Sequence, residues 1–150
     1  MAEAITWEER QRRARSGLDL VRFLVGQWEG EGTSNGEPLR GRLVVRAILG
    51  DSFLEARETL FDASGQVDHE DLALYHYDVD EEHASVEYFM APGWVARHHV
   101  EPLGSGPGCA WTSGPFSPRV ELRPDEAGFS SSVWLPGEPV PSTVMRYRRA

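Results

Sequence analysis

From Trp28 onward, apolar and polar side chains alternate in short runs, each closed by glycine, proline, asparagine or aspartate. Period-two alternation between turn residues is the pattern of half-buried β-strands. It predicts ten of them, over 28–33, 40–49, 53–61, 71–79, 84–90, 94–101, 109–113, 119–123, 129–135 and 143–149. Gly50-Asp51 reads as a tight hairpin connection, and Pro102-Leu103-Gly104-Ser105-Gly106-Pro107-Gly108 as the loosest loop. Ahead of the strands the period changes. Thr6-Trp7-Glu8-Glu9 has the spacing of a capping box, and the arginine-rich run to Arg15 has cations late, where they suit a helix dipole. After Ser16-Gly17, Leu18, Val21 and Leu24 or Val25 recur at helical spacing and predict a second short helix lying over one end of the barrel.

So many short strands with no internal repeat favour an all-β fold, a closed antiparallel meander barrel of about ten strands with an N-terminal helical lid. Closure removes the exposed sheet edges that an open meander would have to protect. At 150 residues the chain is expected to be one barrel domain over 1–150, with 1–25 the helical segment and 26–150 the barrel.

Composition narrows the function classes. The net charge of −9 argues against a nucleic-acid partner. No apolar run approaches the length that crosses a bilayer and no secretory signal is evident, so a cytoplasmic protein without a membrane partner is expected. Cys109 is the only cysteine, which removes disulfides and multi-cysteine metal sites and reads as a small core residue.

Phe23-Leu24-Val25-Gly26-Gln27-Trp28-Glu29-Gly30-Glu31-Gly32 is the hinge of this plan, where helix turns into strand. A Gly-x-Trp at the start of antiparallel strands resembles the opening signature of the calycins, the lipocalin and fatty-acid-binding barrels, and this version comes closer to their nitrobindin-like branch. The resemblance implies a barrel with an internal cavity. It also implies an arginine near the C-terminus packed on Trp28, for which Arg146 or Arg148 is the expected residue. The fatty-acid-binding arrangement, an Arg-x-Tyr pair holding a carboxylate, is replaced here by Arg146-Tyr147-Arg148, whose arginines and tyrosine point to opposite faces. In the nitrobindin-like branch a late histidine ligates haem. This chain has none after His99, so haem bound in that way is not expected; a haem-dependent isomerase would need His76, His98 or Met145 as ligand.

Other chemistry is thinly signalled. His98 and His99 are adjacent on a strand and cannot share one ion, and His69 with Asp68, Glu70 and Asp71 reads as a solvated turn. No Gly-x-Ser-x-Gly elbow, phosphate-cradling loop or dinucleotide motif occurs. Carboxylates such as Glu55 and Glu58 cannot be paired from sequence alone.

The aromatic residues, Phe116 among them, exceed the needs of a small core, and a barrel of this size can enclose one small ligand. The expected pocket is therefore lined by Tyr75, Tyr77, Tyr88, Trp94, His98, Trp111 and Trp134, with Arg46 or Arg97 as an internal anchor for an acidic or carbonyl-bearing group. The expected function is non-catalytic binding of a small apolar or amphiphilic molecule. The alternatives are the haem-dependent isomerase and a filled barrel acting as an interaction module or homodimer. No metal or other cofactor is specified.

Overall fold

In the computed structural model, which describes residues 4–112 and 117–150, the strands close on themselves. The strands are β1 (Gly26–Ser34), β2 (Glu37–Ile48), β3 (Phe53–Phe61), β4 (Val67–Asp78), β5 (His83–Met90), β6 (Trp94–Pro102), β7 (Cys109–Trp111), β8 (Arg119–Pro124), β9 (Gly128–Trp134) and β10 (Thr143–Arg149). Each pairs antiparallel with its neighbours in sequence, and β1 pairs with β10 from Trp28 opposite Arg149 to Ser34 opposite Thr143. The expected meander barrel is thus observed. Strand β4 begins at Val67, before the predicted residue 71, so the supposed solvated turn around His69 is part of the barrel wall. The expected end of β7 at Ser113 and the aromatic Phe116 lie outside the described residues.

Alternation sets what faces the core. Along β2, Leu39, Gly41, Leu43 and Val45 are buried while Arg40, Arg42, Val44 and Arg46 are exposed. The same phase puts Leu54, Ala56 and Leu60 of β3, Ala73 and Tyr75 of β4, and Met145 and Tyr147 of β10 inside.

The lid seals the end where β1 starts. Helix α1 (Trp7–Ser16) is capped by the Thr6 hydroxyl, which accepts from the Glu9 amide at 3.1 Å. The reciprocal half of the capping box is not what Glu9 makes: its carboxylate pairs with Arg12 and Arg13 at 2.6 and 2.9 Å. No residue of α1 is buried, and Arg10 ties the helix to Asp80 beyond β4 at 2.8 Å. Burial comes from the following 3-10 helix (Asp19–Leu24) and the residue before it, where Leu18, Val21 and Leu24 are almost fully enclosed. Each contributes about 1.5–3 kcal/mol. The Trp28 indole N–H donates to the Leu24 carbonyl at 2.7 Å, fixing the lid to the first strand. Tyr77 lies flat against Gly17, where no side chain would fit.

Candidate binding site inside the barrel

Two acids occupy positions in phase with the apolar interior. Glu58 sits between Ala56 and Leu60 on β3, and Asp71 between His69 and Ala73 on β4; the two are direct cross-strand partners. Their carboxyl oxygens come within 4.8 Å of each other. Tyr147 reaches Glu58 from β10, three strands away, and donates its phenolic proton to Oε2. It can do so because glycines stand in its path. A Cβ on Gly30 would lie 2.7 Å from the Tyr147 ring, and one on Gly41 would lie 2.7 Å from its hydroxyl. The ring stacks on Phe129 at 5.0 Å, which holds its direction. On the other flank, His69 Nε2 meets Asp71 Oδ2 at 2.8 Å.

Tyr75 and Tyr88 complete the wall, side by side on the cavity lining. Trp111 buttresses both, with ring centroids 6.0 and 5.9 Å away. Between these groups and Leu43, Val45, Leu122, Phe129 and Ser131 lies a cavity of about 50 Å³. At roughly 10–15 Å³ of such space per molecule, it has room for about three to five waters or a comparable number of ligand heavy atoms.

The electrostatics follow from burial. Glu58 keeps some accessible surface, but that surface faces the cavity and protein surrounds the carboxyl. Loss of hydration raises its pKa to about 7, with the charge of Asp71 adding to the shift and the Tyr147 bond partly opposing it. His69 is raised, chiefly by its bond to Asp71. Burial lifts the phenols of Tyr75, Tyr88 and Tyr147 above their ordinary range and pushes the Cys109 thiol up to about 12.

Of the residues expected to line a pocket, Tyr75, Tyr88 and Trp111 converge at this site. Tyr77 faces the same interior but is used up against the lid. His98 is half-buried beside Tyr88, at 6.4 Å between rings, with its pKa lowered by burial. Trp94 is 70% exposed beside the β5–β6 turn and forms no part of the cavity wall. Trp134 faces outward: its partner is Arg119, while neighbouring Val133 opposes Val120 on the inner face.

The two arginines expected as anchors also stand on the outer face. Arg46 lies outside the barrel with Arg57, both bonded to Glu55 at 3.1 and 3.2 Å, and Arg97 lies outside beside Glu87 and Asp78. A guanidinium inside would lose its hydration without an exposed partner, and the outer faces of these strands supply one. His76 also points outward, against Phe53. Met145 is buried in the interior, its methyl close to Gly41.

Four residues of the site, Glu58, His69, Asp71 and Tyr147, are absent from the sequence-based pocket. Their phase was the signal: Glu58 shares its parity with Leu54, Ala56 and Leu60, and Asp71 shares its own with Ala73 and Tyr75. Charged residues within an apolar set are rare unless partnered.

Two groups among the described residues bring ligand atoms within 4.8 Å of one another, Glu58–His69–Asp71 inside and Glu81–His83–His99 on the outer surface. In the inner group His69 already bonds to Asp71 and Tyr147 to Glu58. In the outer one His83 Nε2 bonds to Glu81 at 2.8 Å and its ring lies over that of His99 at 3.8 Å. A surface concavity of about 930 Å³ lies outside the barrel along β1, β2 and β10. There Arg148, Glu29 and Arg42 stand in one cross-strand row and Arg146, Glu31 and Arg40 in the next.

No family model matches the sequence, and no curated protein does. No helix among the described residues is long and apolar enough to cross a membrane.

Proposed function

We propose that the barrel binds a compact neutral molecule, apolar over most of its surface and carrying one hydrogen-bonding group such as a carbonyl or hydroxyl. The observation behind this reading is the polar cluster of Glu58, Asp71, Tyr75 and Tyr88 on one wall of an otherwise apolar cavity. A few placed polar groups in an apolar enclosure orient a ligand. An acidic ligand is disfavoured, because Glu58 and Asp71 would repel it and no arginine among the described residues lines the cavity to offset them. Saturation-transfer NMR with butanone and butyrate tests the proposal. Butanone is expected to receive magnetisation from the protein and butyrate is not; no transfer to butanone, or equal transfer to both, overturns it.

The small volume of the cavity supports a second reading, a barrel filled by its own side chains that works through its outer surface. Trp94 and Val95, 70% and 60% exposed on one hairpin, would then form contacts between copies. Sedimentation equilibrium showing a dimer that Trp94→Ala dissociates would favour it.

A further inference from the structure

We infer that the interior site transfers protons: Glu58 is the general base toward a hydrogen on the carbon next to the carbonyl of a small ketone or aldehyde, and the Tyr75–Tyr88 pair receives the enolate oxygen. This rests on the binding reading above and adds a reaction to it.

Such chemistry needs a base whose affinity for protons matches neutral pH, hydrogen-bond donors where negative charge develops, and exclusion of bulk water. Glu58 lies on the cavity wall, away from bulk solvent, with a pKa raised to about 7. Its orientation is fixed by the Tyr147 hydroxyl on one side and Asp71 on the other, and Asp71 is in turn held by His69. Tyr147, Asp71 and His69 are thus positioning residues. The two phenols on the same wall have two hydrogens between them. Either hydroxyl can turn its hydrogen toward an oxygen held in the cavity that both phenols line. A carboxyl group and a phenol serving one small cavity can divide the roles of base and oxyanion donor.

The step balances without any further reagent. A Glu58 carboxylate oxygen bonds to the hydrogen as the carbon–hydrogen bond breaks. That electron pair forms the carbon–carbon double bond, and the carbonyl π pair moves onto oxygen, where a phenol donates to it. Once Glu58 has traded this proton for one from solvent, return to the same carbon completes hydrogen exchange; where a neighbouring double bond extends the enolate, return to the far carbon isomerises the substrate.

Butanone, with about five heavy atoms, suits the space available. In D₂O the intact chain is expected to speed loss of its α-hydrogen signals by on the order of 100-fold over buffer. The rate should rise with pH as Glu58 loses its proton. Glu58→Gln should bring exchange back to the buffer rate while saturation transfer to butanone persists. Tyr147→Phe should move the midpoint of the pH profile upward with less effect on the plateau, which a merely structural role would not produce. Saturation transfer with exchange at the buffer rate overturns proton transfer and leaves binding intact. Absence of both signals removes both. Where Glu58→Gln does not fold, a flat pH profile of the unaltered chain from about pH 5 to about pH 9 overturns the proposal equally.

Discussion

Arg149 sets its guanidinium 4.2 Å from the centre of the Trp28 ring, and the same side chain donates to the Val25 carbonyl at 2.9 Å. Trp28 and Arg149 are direct partners across the seam where the first and last strands meet. The tryptophan is therefore roofed by the residue beyond both arginines that the resemblance offered. Arg146 and Arg148 have the opposite parity and stand on the outside, where Arg146 pairs with Asp125 at 2.6 Å.

Arg149→Ala is accordingly expected to lower stability by about 0.5–2 kcal/mol, the range of a cation–π contact. Arg148→Ala should leave the urea midpoint unchanged. Chemical denaturation of the two variants side by side checks the assignment, and equal losses would refute it.

Stability should fall as pH rises toward neutrality. Glu58 binds its proton more tightly folded, with a pKa of about 7, than unfolded, with an ordinary value of 4.5. Between those values the folded state carries more protons, so the slope of unfolding free energy with pH is negative. The loss spans about pH 4.5 to 7 and is on the order of 3 kcal/mol at most. His69 acts in the same direction, since its raised pKa gives stability that is present at low pH and lost as pH rises through the folded value. Glu58→Gln should flatten most of the slope, because the amide stays neutral throughout. Urea titrations at several pH values measure it.

Gly30→Ala should destabilise the barrel by about 1–3 kcal/mol, the usual cost of overpacking. The added methyl would meet the Tyr147 ring, so the phenol is also expected to lose its bond to Glu58. Combining Gly30→Ala with Tyr147→Phe should cost less than the sum of the two changes. A double-mutant cycle by thermal denaturation tests this coupling.

Arg46→Ala and Arg97→Ala are expected to leave saturation transfer to butanone unchanged, because both side chains lie outside the barrel. Loss of the signal in either variant would place an arginine at the site after all.

The sequence was most informative where one periodicity persists. Along β2 and β3 the alternation is clean, and the predicted edges of β3 and β10 coincide with those observed. The pocket was less legible because residues chosen for their size were not held to a common phase. Trp134 is large and near the end of β9, yet Phe129, Ser131 and Val133 occupy the inner parity and leave Trp134 outside. Arg46 likewise lies between inward Val45 and Ala47. At β4, four polar residues at its start, Asp68, His69, Glu70 and Asp71, hid a strand that continues inward-facing to Tyr75.

The sequence alone determined the rhythm of ten strands, the buried stripe that begins with Leu18 and Val21, and the place of the helix-to-strand turn at Gly26, whose φ of +145° suits glycine. These are local properties, set by neighbours a few positions apart. The tertiary structure decided which side chains meet. Glu58 and Tyr147 are 89 positions apart and belong to strands that do not pair with each other. They touch only because the barrel closes and because Gly30 and Gly41 leave the space between them empty. Alternation can place a residue on the inner face, but only the closed register, together with the size of what lies between, decides what it finds there.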